Sequence, residues 1–244
     1  GTGFEAKRST RRFCSAFCRI SSWKSESGPV MQDQPRKVPH PHQETKDFER
    51  GLSEYTGAPY VVAVNSCSMA ILLACAYWAQ RPFIADEKLI TRLSIPKRTY
   101  VSVPMSVKHA GWGVDYRDED WRGGYQIKPL PVWDYARRFT SGMYVRRSMQ
   151  CVSFHWSKIL GIQQGGAILH DSPAADAWFR RARLDGRTEG VPPHQDNFEF
   201  CGWHCYMSPE VAQAGIMRLS LLAANNADLP NDNYPDLSRF EALK

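Results

Sequence analysis

An α/β fold is predicted by three stretches of this 244-residue sequence, in which helical and strand patterns alternate. Residues 45–55 carry Phe48, Leu52 and Tyr55 at helical spacing. Residues 60–78 read as a buried strand that turns directly into an apolar helix. Residues 151–169 hold two apolar runs on either side of a glycine-broken loop that contains Lys158. A composition of 43% hydrophobic and 12% aromatic residues suits a globular protein and argues against general disorder. The length accommodates one large domain or two small ones.

The first helix is expected to start at Thr45 as N-cap and to end at Gly57, which can adopt the left-handed conformation of a helix terminus. Tyr60-Val-Val-Ala-Val-Asn-Ser then forms a strand, and Cys67 to Trp78 a helix. No charge occurs from Tyr55 to Gln80, so a membrane span has to be weighed. Asn65, Ser66 and Ser68 interrupt that run in its middle, where they mark a strand-to-helix turn, and we reject the span. A helix beginning at Ser66–Ser68 directs its first N–H groups and positive dipole end outward, an arrangement that suits a phosphate. Ordinary N-capping by the same serines is the bland alternative.

In Cys151-Val-Ser-Phe-His-Trp-Ser-Lys158, followed by Gly165-Gly166-Ala-Ile-Leu, a strand ends near Phe154, a loop presents one amine, and paired glycines start a second strand. A lysine held partly out of water there has a lowered pKa and can attack a carbonyl. The alternative is a surface lysine in a hairpin loop.

Net charge is +6, of which residues 1–46 carry +5, so the basicity belongs to an N-terminal arm. From Ser25 to His42 that arm is rich in Pro, Gly and Gln and reads as extended, and Phe13 to Ile20 could form a short amphipathic helix. Seven cysteines, odd in number and scattered through apolar segments, point to free thiols in a reducing, cytoplasmic compartment. Cys201-Gly-Trp-His204-Cys205 matches no zinc module in its spacing, so no metal is expected.

Ser153-Phe-His-x-x-Lys158 with Gly165-Gly-Ala-Ile resembles the lysine segment of the DegT/DnrJ/StrS family, nucleotide-sugar aminotransferases that use pyridoxal 5'-phosphate (PLP). Further segments follow in the family's order. Phe48-Glu49 and Tyr55-Thr-Gly57 precede Asn65-Ser-Cys67-Ser68-Met-Ala, similar to the family's Asn-Ser-Gly-Thr-x-Ala. Thr99-Tyr100 resembles its Thr-Phe. Trp133-Asp134-Tyr-Ala-Arg137 stands where the family has Glu-Asp-Ala-Ala-Gln or His, and Gly202-Trp-His204-Cys-Tyr-Met stands for Gly-x-Asn-Tyr-Arg-Met.

What the resemblance implies can be stated residue by residue. Lys158 would carry PLP and move the proton, while Ser153, Cys67 and Ser68 would surround the phosphate. Tyr100 would stack on the pyridine ring, and Asp134 would pair with the ring nitrogen so that the ring acts as an electron sink. Arg137 occupies the position beside the cofactor hydroxyl. His204 stands where the family's asparagine reaches the neighbouring subunit's phosphate, which implies a homodimer. The implied fold is an α/β three-layer domain with a mostly parallel sheet, the PLP-dependent transferase (aspartate aminotransferase-like) large domain. It would occupy residues 47–223, between the 1–46 arm and a 224–244 tail standing in place of the family's small domain. The implied reaction moves an amino group, commonly from glutamate, onto a keto-sugar nucleotide.

Cys67 for glycine, Arg137 for glutamine or histidine and His204 for asparagine are departures from the family pattern. Only 19 positions separate Asp115 from Asp134, where the family holds another strand and helix. Two other function classes therefore stand beside the enzyme. One is a binding or assembly subunit that keeps the fold without turnover. The other, a nucleic-acid binder using the basic arm, rests on a charge run alone.

Overall fold

Residue placement follows the burial pattern of alternating helices and strands, and the computed structural model describes it for residues 42–81, 84–85, 88–231 and 233–244. The arm's expected helix at Phe13–Ile20 lies outside the described residues. Helix α1 (Gln43–Thr56) has His42 as its N-cap, and Thr45 is buried in its first turn with its hydroxyl donating to the Met207 carbonyl at 3.4 Å. Thr45 is thus not the N-cap. Gly57 does end α1, with φ 78° and its N–H bonded to the Ser53 carbonyl.

Strand β1 (Tyr60–Val64) leads into α2 (Cys67–Ala79), whose N-cap Ser66 accepts the Met69 N–H at 3.2 Å. A short hairpin, β2 (Ile84–Ala85) and β3 (Lys88–Leu89), precedes β4 (Arg92–Pro96), α3 (Ser102–His109) and β5 (Gly113–Arg117). Strands β6 (Tyr125–Ile127), β7 (Val132–Tyr135), β8 (Met149–Ser153) and β9 (Gly166–His170) follow, then α4 (Pro173–Ala182) and α5 (Pro209–Ser220).

The main sheet has the order β1-β9-β8-β7-β6, and β4–β5 forms a separate parallel pair. An antiparallel bridge between Ser94 and Lys128 links the pair to the β6 end of the sheet. The sheet is mixed rather than mostly parallel: within the main sheet only β7–β8 runs parallel. Connection length explains this. Parallel neighbours need a crossover of a dozen residues or more. Residues 128–131 are too few for one between β6 and β7, and the Lys158 loop, residues 154–165, forms no helix that could carry one from β8 to β9. In the short stretch between Asp115 and Asp134 the one element between β5 and β7 is β6.

Both sheet faces are covered, and successive strand residues divide between them as the pleat requires. Val62, Val64, Cys151 and Ile168 face α2, α3 and α4, while Val61, Ala63, Val152, Ala167 and Leu169 face α1 and α5. This is the three-layer arrangement. Residues Ala70 to Tyr77 of α2 are all buried, which accounts for the uncharged stretch as a core helix. Among the described residues no helix is long and apolar enough to cross a membrane.

One charged cluster anchors α1 to the sheet. Glu49, 5% exposed, accepts the Ala63 N–H at 2.9 Å, Arg180 Nη1 at 2.8 Å and Arg183 Nη1. Arg183 is itself 3% exposed. Glu49→Ala would leave that guanidinium buried without its nearest counter-charge, with Glu189 remaining at 3.7 Å, and a loss of about 3–5 kcal/mol is expected in denaturant unfolding. A change below about 1 kcal/mol would show the cluster to be incidental.

Residues 224–244 are packed against the domain. Leu237 and Leu243 are buried, the Leu237 N–H donates to the Lys97 carbonyl at 2.8 Å, and the Leu229 N–H donates to the Arg137 carbonyl at 2.9 Å.

Candidate active site

The β1–α2 turn is the floor of a cavity on which several polar side chains converge. Ser66 is in extended conformation, so α2 begins abruptly and its N-terminus opens on a cavity of about 320 Å³. Beside it starts β9. A Cβ on Gly166 would lie 2.5 Å from the Cys67 nitrogen and 2.7 Å from the Ser66 carbonyl carbon. Only glycine allows the two segments to touch this closely. Ser68 shares a 2.6 Å hydrogen bond with the Ser102 hydroxyl at the start of α3, and Ser106 Oγ donates to the Ser68 carbonyl at 3.0 Å. Cys67, in the family's glycine position, is buried at the cavity wall. Burial pushes its thiol pKa well up, with the negative Asp134 adding to the shift, so the thiol stays protonated.

Lys158 enters from the β8–β9 loop, half-buried, with its backbone N–H bonded to the His155 carbonyl at 2.8 Å. Desolvation lowers its pKa, and the Arg137 guanidinium lowers it further; the negative Asp134 acts the other way. The balance thereby shifts toward the free amine relative to a solvated lysine. Arg137→Gln removes a like charge, so the ammonium form should gain. The midpoint of labelling Lys158 with an amine-specific reagent should then move to higher pH than in the parent. An unchanged or lower midpoint would contradict this electrostatic account.

Asp134 comes from β7, 4% exposed. Its Oδ1 accepts the Ala136 N–H at 2.9 Å and its Oδ2 accepts the Tyr125 hydroxyl at 2.8 Å; Tyr125 in turn shares a hydrogen bond with Thr99. Desolvation raises the Asp134 pKa against the opposing effect of those bonds and of Lys158 and Arg137. A cation placed beside this carboxylate would favour its ionised form strongly.

Of the residues singled out in the sequence, Cys67, Ser68, Tyr100, Asp134, Arg137, Ser153 and Lys158 all line this one cavity. His204 does not. It is exposed, with Nδ1 2.9 Å from Asp185 Oδ2, and lines a separate recess with Asn65, Tyr206 and Ser208. Sequence reasoning missed Tyr125, Thr99, Ser102, Trp121 and Tyr234. The Tyr125–Asp134 bond follows from the β6–β7 register, in which the two residues are directly paired. A hairpin around Lys128-Pro129 was the only available signal for it.

Residues 35–128 match the model of the DegT/DnrJ/EryC1/StrS aminotransferase family. No curated protein matches the chain. Among solved structures, it is similar to the sugar aminotransferase CalS13 from Micromonospora echinospora, with a TM-score of 0.60 at 15% identity, covering 73% of this chain and 60% of that one. A DegT DnrJ EryC1 StrS aminotransferase from Brucella abortus gives 0.57 at 15% identity, covering 73% and 58%. Helicobacter pylori PseC, an aminotransferase involved in the biosynthesis of pseudoaminic acid, gives 0.56 at 14% identity, covering 73% and 57%. The chain spans 57–60% of the length of these three proteins. The chain thus carries a segment similar to the DegT/DnrJ/EryC1/StrS aminotransferase family at residues 35–128, within a fold similar to that of these solved aminotransferases.

Proposed function

We propose that this chain is a PLP-dependent aminotransferase acting on a keto-sugar nucleotide, with glutamate as the amino donor, working as a homodimer in the cytoplasm. The observation that carries the reading is the meeting of Lys158, Asp134, Ser153 and Ser68 in one cavity at the N-terminus of α2. The names of similar structures, a sugar aminotransferase among them, support the substrate class.

The donor set fits PLP. The α2 N-terminus, Ser68 and Ser153 offer N–H and hydroxyl donors to a phosphate, and Gly166 leaves that cradle open where a Cβ would press on it. Cys67 keeps its place because Gly166 yields the room. Lys158 would hold the cofactor through Nζ, and Asp134 would stand at its ring nitrogen. When bound, PLP supplies an electron sink for the carbon that loses its proton.

The chain's own residues supply the rest. Lys158, whose lowered pKa eases release of its proton, would move a proton between the substrate carbon and the cofactor. Asp134, kept in shape by Tyr125 and Ala136, would hold its negative charge beside the protonated ring nitrogen, in a dry place where it acts strongly. Ala136 and Tyr100 lie on the cavity wall, where they would bound the flat ring. His204, exposed and outside the cavity of its own chain, would serve the partner subunit.

The test is amine transfer. Full-length protein with PLP and glutamate should convert a nucleoside-diphosphate keto-sugar to its amino sugar and release 2-oxoglutarate in equal amount. Cofactor bound at Lys158 without transfer from any amino acid would instead favour a binding or assembly role.

A further inference from the structure

The cavity has an outer wall that comes from outside the segments of the family pattern. Tyr234, half-buried, lines it from the C-terminal stretch. Its ring lies nearly parallel to that of Trp121, at 14° with centroids 6.4 Å apart. It meets Tyr100 edge-on at 6.3 Å, and the Arg137 guanidinium carbon lies 6.0 Å from its centre. Trp121 is fixed from behind, its Nε1 donating to the Arg98 carbonyl at 2.9 Å and its ring packed edge-on against buried Tyr125.

The stretch carrying Tyr234 is held on both sides. Before it, the Leu229 N–H donates to the Arg137 carbonyl and Asp228 pairs with Arg138 at 3.0 Å. Asp228 also sits so close to Gly123 that a Cβ there would come within 2.4 Å of its carboxylate. After it, Asp236 faces Lys97 at 3.8 Å and Leu237 is buried with its N–H on the Lys97 carbonyl. Both anchors connect to segments that carry cavity residues, Arg137 on one side and Thr99 on the other.

Once a cofactor fills the inner part of a 320 Å³ cavity, a substrate must extend past this aromatic rim. We propose that Tyr234 is a specificity-determining residue: with Trp121 it offers an aromatic face against which the ring of a cyclic substrate lies, so that amines and ketones carried on a six-membered ring are preferred to acyclic ones. The inference rests on the reading of Lys158 and PLP given above. Loss of one ring face, about 55 Å² of apolar contact at ~25 cal/mol per Å², corresponds to about a tenfold weakening.

Two amines with the same branching at the reacting carbon, cyclohexylamine and isopropylamine, isolate the ring. Each displaces Lys158 from the cofactor's carbonyl carbon, one C–N bond forming as another breaks, with no redox change. Binding to PLP-loaded full-length protein is read from the visible absorption, without turnover. Tyr234→Ala should weaken cyclohexylamine about tenfold and isopropylamine less than about twofold, while Tyr234→Phe keeps both within about twofold. The ratio of the two amines within one protein cancels any loss of folded material. An unchanged ratio in Tyr234→Ala, or one shifted toward cyclohexylamine, overturns the role of Tyr234 and leaves the Lys158 reading intact. A parent protein that shows no PLP band dependent on Lys158 overturns that reading, and the inference with it.

Discussion

Lys158→Ala is expected to abolish covalent retention of PLP and to lower amine transfer by about 10⁴-fold. That is the upper range for one positioned acid–base group, reached because the same amine also holds the cofactor. The fold should tolerate the change. Lys158 is half-buried in a loop, and the hydrogen bond that shapes the loop runs through its backbone to His155. Subunit mixing extends the test to assembly. If His204 serves the partner's site, mixing Lys158→Ala with His204→Ala protein yields heterodimers in which one site has both defects and the other has neither. Cofactor binding should then partly recover. No recovery after confirmed exchange would contradict a shared site, and a Lys158→Ala protein that still transfers amine would remove Lys158 from the mechanism.

Asp134→Asn should lower transfer by about a thousandfold, ~4 kcal/mol, the size of a buried charge interaction lost by removing one partner. Asparagine preserves the shape. Its oxygen can still accept the Ala136 N–H, and its amide can donate to the Tyr125 hydroxyl, which shares a second bond with Thr99. Unfolding stability and PLP capture should therefore change little while turnover falls. A variant that turns over like the parent would reduce Asp134 to a structural carboxylate.

Much of the fold was legible because local pattern and tertiary packing agree. The α1 stop at Gly57, the β1–α2 unit and the two strands around Lys158 all fall where the sequence places them. The direction of the strands was not legible, since it depends on connection lengths and pairing partners rather than on any strand's own residues. Thr45 shows the limit of capping signals: a threonine before an apolar run reads as a cap, but here its hydroxyl is committed to Met207 across the interface with α5.

The candidate site was legible where a short motif carries it. Lys158, Ser153, Ser68 and Asp134 stand in segments whose spacing is distinctive, and the chain brings them to one cavity. Tyr125 was hidden because its role arises from register across a three-residue strand, β6. Tyr234 was hidden because its stretch is polar, contains prolines and has no periodicity. Only its docking on Lys97 and Arg137 brings the ring to the cavity.

The most direct measurement reduces the PLP-treated full-length protein with borohydride, digests it and locates the pyridoxyl group by mass. The account predicts one modified peptide, the one containing Lys158, and none from the Lys158→Ala protein. A pyridoxyl group on another lysine, such as Lys97 or Lys128, or no stable modification at all, would contradict it.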